Sequence, residues 1–168
     1  ITNLLESGLV AGGGIVTMLH RWRQSLWVAD TFTIKEYSTW SGRLRSSTIY
    51  DGGDPATTLQ PTFTASRFGR NLLITSWFGN TVQIWNPRTK EVVEGHPDFA
   101  VPVNAIGFNG NMVVAELMTG SLVKRAPQTM ERVVLAEGFY VPSGLAADRS
   151  GNLYVADWAS GIIWQVYV

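Results

Sequence analysis

An all-β fold follows from three features of this 168-residue chain. Its apolar runs are short and broken by Gly, Asn or Asp, so no helical period is sustained. Seven Trp, five Tyr, seven Phe and 17 Gly suit pleated surfaces and tight turns. One short unit also recurs. Gly151-Asn-Leu-Tyr-Val-Ala-Asp157 is copied by Gly110-Asn-Met-Val-Val-Ala-Glu116, by Arg70-Asn-Leu-Leu-Ile-Thr-Ser76 and by Ser25-Leu-Trp-Val-Ala-Asp30. The residues ending the copies, Asp30, Ser76, Glu116 and Asp157, fall about 40–46 residues apart, the period of the four-stranded blades of a β-propeller.

Taken in order, residues 2–9 match the type of Arg132-Val-Val-Leu-Ala-Glu-Gly-Phe139 and predict an outer strand. Residues 14–38 predict three strands of a first blade, with a long turn at His20-Arg-Trp-Arg-Gln24, and 44–50 an outer strand. A link from Tyr50 to Pro61, with Asp51-Gly-Gly-Asp54 as its turn, leads to strands over 62–86 and an outer strand near 90–95. The same grammar gives 104–126 with 131–137, and finally 144–168. In that last stretch Asp148-Arg-Ser-Gly-Asn152 and Asp157-Trp-Ala-Ser-Gly161 are the turns. The expected organisation is one domain, 1–168, with blades of approximately 2–40, 41–87, 88–127 and 128–168.

Because the chain starts on an outer strand and stops on a third strand, its ends are complementary. Residues 2–9 could complete the last blade and remove an open edge. Three assemblies fit: a closed four-blade ring, part of a larger ring, or a homodimer whose copies complete one larger ring.

Composition narrows the function classes. Thirteen basic and thirteen acidic residues cancel, which gives no field to attract nucleic acid or an anionic membrane. No Cys is present, so thiolate metal sites and Cys nucleophiles are excluded. The longest apolar run, Leu9–Leu19, is too short for a membrane-spanning helix, and no signal peptide is visible. No Gly-x-Ser-x-Gly elbow, phosphate-binding loop or His-Glu-x-x-His occurs. A compartment is not specified by these features.

The candidate site residues follow from the repeat. Asp30, Glu116 and Asp157 stand at one place in their blades, where the second strand meets its turn. Such carboxylates could gather on one face to hold Ca²⁺ or act as acid and base, or could accept backbone N–H bonds from their own turns. The turn-bonding role is favoured, since a residue repeated in every blade serves the repeat. Trp77 and Trp158 follow these positions, with Phe78 and Met118 nearby, and could line a pocket at the ring mouth or pack between blades. His20 and His96 read as turn and structural residues.

Pro142-Ser-Gly-Leu-Ala-Ala-Asp-Arg-Ser-Gly-Asn-Leu-Tyr-Val-Ala-Asp-Trp158 resembles NHL-type repeats and the SMP-30/gluconolactonase propellers. The likeness extends as blade rhythm over nearly the whole chain. It implies a propeller and, in the lactonase branch, a divalent cation such as Ca²⁺ held by Glu, Asn and Asp, with Asn and Asp coming from the Pro-x-Gly turns. Here those turns carry Gly13, Thr62, Val103 and Ser143, none a strong hard-cation ligand; Asn104 is the nearest substitute and a weak metal candidate. The expected function is therefore a scaffold that binds a small molecule or protein partner at the central top face. The alternative is a metal-dependent hydrolase of lactones or related esters.

Overall fold

The computed structural model describes residues 12–20, 23–50 and 52–168, with side chains from Gln24 onward. Every regular element among them is a β-strand. The first sheet is β1 (Gly12–His20), β2 (Arg23–Asp30), β3 (Thr33–Ser38) and β4 (Leu44–Ile49). The second is β5 (Thr64–Phe68), β6 (Asn71–Ser76), β7 (Thr81–Asn86) and β8 (Glu91–His96). The third is β9 (Pro102–Phe108), β10 (Asn111–Glu116), β11 (Ser121–Arg125) and β12 (Arg132–Glu137). The fourth has three described strands, β13 (Pro142–Ala147), β14 (Leu153–Asp157) and β15 (Ile162–Val166).

All pairings are antiparallel and each sheet is a meander in sequence order. The inner strands β1, β5, β9 and β13 neighbour one another in succession, which is the layout of four propeller blades. The sheets therefore put the outer strand 44–49 with the strands before it, not at the head of the next blade. Residues 2–9, expected to complete the last blade, lie outside the described residues.

One local expectation changes. Where a long turn was expected at 20–24, the ladder continues until His20 pairs with Arg23. In the link before the second blade, the described hydrogen bonds form a turn at Asp54–Thr58, while the expected Asp51–Asp54 turn starts at a residue outside the described ones. The Asp54 carbonyl accepts from the N–H groups of Thr57 and Thr58, and its carboxylate accepts from Ala56 N–H. Buried Gln83 ties this link to the blade, donating through Nε2 to the carbonyls of Pro55 and Thr58 and accepting from Gln60 N–H. Gly95 is required beneath it, because a Cβ there would sit 2.3 Å from the Pro55 carbonyl oxygen.

The turn between second and third strands explains much of the repeat. Asn80, Gly120 and Gly161 each precede a third strand with φ of 48°, 59° and 69°. Only Gly, and Asn at modest cost, enters this left-handed region readily. At Gly120 space agrees with conformation, since a Cβ would lie 2.2 Å from the Phe139 carbonyl oxygen. In the Asp148–Asn152 turn the Asp148 carboxylate accepts from Ser150 N–H, Asn152 N–H and Asn152 Nδ2. Those Asn152 bonds hold its pKa at about 2.

The core lies between blades and is directional. Trp27, Ala29 and Ile34 of blade one meet Leu72, Ile74 and Trp85 of blade two. Leu73, Val82 and Ile84 of blade two meet Met112, Val114 and Val123 of blade three. Val113 and Leu122 of blade three meet Leu153, Val155 and Val166 of blade four. Alternation along each strand makes this arrangement: odd and even residues face opposite neighbours, so both faces are apolar. Leu26, Val28 and Tyr37, on the remaining face of blade one, are buried as a separate cluster.

Candidate functional site

The turns that follow each second strand lie at the same end of the blades as the loops entering the inner strands, because the first two strands run out and back. This end is the top face. Asp30, Ser76, Glu116 and Asp157 all sit there, and all four are buried.

Their burial decides what they can do. The Asp157 carboxylate accepts from Tyr140 N–H at 3.0 Å and from Val141 N–H at 2.9 Å. Glu116 accepts from Ala100 N–H at 3.1 Å, from the Thr119 hydroxyl at 2.9 Å and from Arg132 Nη2 at 2.7 Å. Asp30 receives Lys35 Nζ at 2.6 Å. Ser76 accepts from Gly79 N–H in its own turn. Glu116 and Asp157 thus hold the loop that enters the inner strand of their own blade, and they also take donors from the turn immediately after them, at Thr119 and Ser160. At Asp157 burial raises the pKa, but the N–H bonds of Tyr140 and Val141 outweigh it and leave the carboxyl below its ordinary 3.8.

These carboxylates do not converge. Among the described residues no three His, Asp or Glu side chains come together as a metal-binding group. Asn104, the weak metal candidate, uses its side-chain N–H to reach the Ser143 carbonyl at 3.1 Å. Ser143 in turn donates its hydroxyl to the Ala156 carbonyl. Asn104 and Ser143 are brought together, but as a tie between the inner strands of blades three and four. Ser66, donating to the Ala105 carbonyl at 2.6 Å, makes a similar tie between blades two and three. The donor set needed for a divalent cation of the lactonase kind does not fit the described residues.

What the top face presents is apolar. Phe32, Trp77 with Phe78, Met118 and Trp158 stand in equivalent turns of the four blades, and all are exposed. Trp77 is the least so, at 37%, because it stacks on Phe63 with centroids 5.0 Å apart and rings inclined by 10°. Phe78 meets Trp77 edge-on at 5.4 Å. Tyr140, exposed in the loop entering β13, adds a sixth large side chain. Sequence reading found Trp77, Trp158, Phe78 and Met118 but missed Phe32 and Tyr140. The equivalence of Phe32 was concealed by a turn shorter than the others. Neither Trp77 nor Trp158 lies in the cores between blades, so of the two roles open to them in the sequence, packing between blades is not the one they take.

His96 is a buried residue at the end of β8, with Nε2 3.1 Å from Glu94 Oε1 but misaligned for a hydrogen bond. Burial lowers its pKa from 6.5, favouring the neutral ring. The side chain of His20 lies outside the described residues.

No protein-family model and no curated protein matches the chain. Solved structures do. It is similar to the computationally designed Ika4 protein, at 16% identity and a TM-score of 0.64, over 99% of this chain and 98% of that one. Kuenenia stuttgartiensis hydrazine synthase matches at 12% identity and a TM-score of 0.68, over 99% of this chain and 51% of that one. A Bacteroides caccae protein of unknown function matches at 14% identity and 0.64, over 94% and 57%. The chain spans about half the length of the last two. At these identities the likeness is one of fold, and it agrees with the blade-repeat propeller.

Proposed function

We propose that this propeller is a binding scaffold whose top face takes an uncharged apolar or aromatic surface, offered by a small molecule or a protein partner. The observation that carries this reading is the repetition of an exposed large apolar side chain at the equivalent turn of all four blades. Single exposed apolar residues are ordinary, but a set clustered on one end of a fold is the mark of an interaction site. The neighbouring carboxylates present no open acceptor to a ligand, because Glu116 and Asp157 are buried and occupied by protein donors and Asp30 pairs with Lys35. The lactone-hydrolase alternative lacks comparable support, as the residues it would use are spent on holding loops.

The test is a titration of ¹⁵N-labelled protein with indole as an uncharged aromatic probe, followed at the tryptophan side-chain N–H signals. Trp77 and Trp158 signals should move together while buried Trp85 stays fixed, and Trp158→Ala should weaken the response at Trp77. Uniform small shifts at all tryptophans, or a response unchanged by Trp158→Ala, would contradict the reading. No helix among the described residues is long and apolar enough to cross a membrane.

A further inference from the structure

His96 closes β8 with its imidazole fully buried, and neither ring nitrogen has a hydrogen-bond partner. Buried polar groups are normally paired, so an orphaned ring inside a fold calls for an explanation. Its backbone is firmly held: the residue pairs with Val82 of β7, and its carbonyl accepts from the Thr81 hydroxyl at 2.9 Å. The sheet keeps the ring in place, not polar contacts of its own.

Three charged groups face the ring: Glu94 from its own strand, Asp98 from the loop that follows, and Arg125 from β11 of blade three. Arg125 is itself buried, and its Nη1 holds Asp98 at 2.6 Å, so that carboxylate is already matched by a cation. Glu94 comes within 3.1 Å of Nε2, but its side chain is partly in solvent, where attraction is screened. A proton added to His96 therefore puts a second cation near a buried guanidinium, in a place with no aligned acceptor for it.

The adjoining loop belongs to the top face. Phe99 packs in the core shared by blades two and three, and its N–H reaches the Asn80 carbonyl. Val101 N–H donates to the Asn80 side chain. The Val101 and Ala100 carbonyls accept from the N–H groups of Leu117 and Met118. Residues 97–101 thus fasten the turn carrying Trp77 and Phe78 to the turn carrying Met118.

We propose that His96 is an acid-sensitive latch at the joint of blades two and three: neutral, it lets residues 97–101 bind both top-face turns, and protonated, it drives that loop off them. The latch does not depend on what the top face binds. Its sign follows from burial, which favours the neutral ring in the closed form. Closure is complete above the ordinary histidine value of 6.5 and weakens as pH falls below it, because the open form takes up the proton first. One unit below that value the loss of closure is at most about tenfold.

Hydrogen exchange on the full chain, corrected for intrinsic rates and compared at about pH 7.5 and pH 5.5, tests this. Protection at the Phe99, Val101, Leu117 and Met118 amides should fall several-fold at the lower pH, while the β10 amides hold. His96→Gln should abolish the pH dependence, and His20→Gln, at the other histidine of the chain, should keep it. Glu94→Gln alters a partly exposed side chain, so it leaves the core intact even if His96→Gln does not fold. It removes the attraction nearest the ring, and its loss of protection should be at least as large as the parent's. Equal protection at both pH values in the parent would overturn the proposal. So would a loss that persists in His96→Gln, or one that shrinks in Glu94→Gln.

Discussion

Arg132 reaches Glu116 across blade three, with Nη2 2.7 Å from Oε2, and closes a set of donors that leaves this buried carboxylate fully engaged. The pair links an outer strand to the end of the second strand, while Oε1 holds the loop at Ala100. Glu116→Ala should therefore cost about 2–3 kcal/mol, the loss of a buried carboxylate and its charge-assisted partner. Glu116→Gln should cost less, since it retains an acceptor for Ala100 N–H. Urea unfolding of both variants checks the order, and equal small losses would remove Glu116 from this structural role.

Asp157 makes the analogous prediction by polarity alone. Asp157→Asn keeps an acceptor oxygen for Val141 or Tyr140 and should be milder than Asp157→Ala. The pH dependence has a definite sign. The folded carboxyl titrates below its ordinary 3.8, so its stabilising effect is complete above that value and is lost as pH falls through the folded pKa. Asp157→Asn should flatten the stability profile below about pH 4. An unchanged acid limb would contradict the assignment.

Asn104 distinguishes a tie between blades from a cation ligand. Asn104→Ala should cost about 0.5–1.5 kcal/mol, the worth of one hydrogen bond. Asn104→Asp should be worse than Ala, because it faces a carboxylate oxygen against the Ser143 carbonyl. If Asn104 were a cation ligand, Asp would instead be tolerated or strengthened by added Ca²⁺. Thermal melts of the two variants with and without Ca²⁺ separate these outcomes.

The directional packing can be tested at Leu122, which reaches into blade four. Leu122→Ala should cost about 2–5 kcal/mol, as a buried leucine truncated among close-packed neighbours does. Exposed Trp158 on the top face is the control, and Trp158→Ser should change stability by no more than about 0.5 kcal/mol. Denaturant midpoints at unchanged slope provide the comparison.

The fold was legible because its rules are local. A strand of alternating apolar residues, an acidic or hydroxyl residue at its end, and Asn or Gly before the next strand recur in Ser76–Thr81, Glu116–Ser121 and Asp157–Ile162. Each names a backbone requirement that a short stretch can state. The partners of Glu116 and Asp157 were not legible, because Ala100, Tyr140 and Val141 lie far off in sequence and meet the carboxylates only once the meander has formed. The outward aim of Phe32 and Tyr140 was hidden for a related reason: one lies in a turn shorter than its equivalents and the other in a loop entering β13, and only blade geometry turns them to the top.

The most direct measurement is a thermal melt of the parent chain with and without saturating Ca²⁺, repeated with Asp157→Asn. If the repeated acidic residues are structural ties beneath an apolar binding face, Ca²⁺ leaves the midpoint unchanged and Asp157→Asn lowers it equally in both conditions. A preformed cation site occupied at a hundred times its dissociation constant would add about 2.7 kcal/mol and raise the midpoint by roughly 5–10 °C. A rise of that size, abolished by Asp157→Asn, would contradict the account.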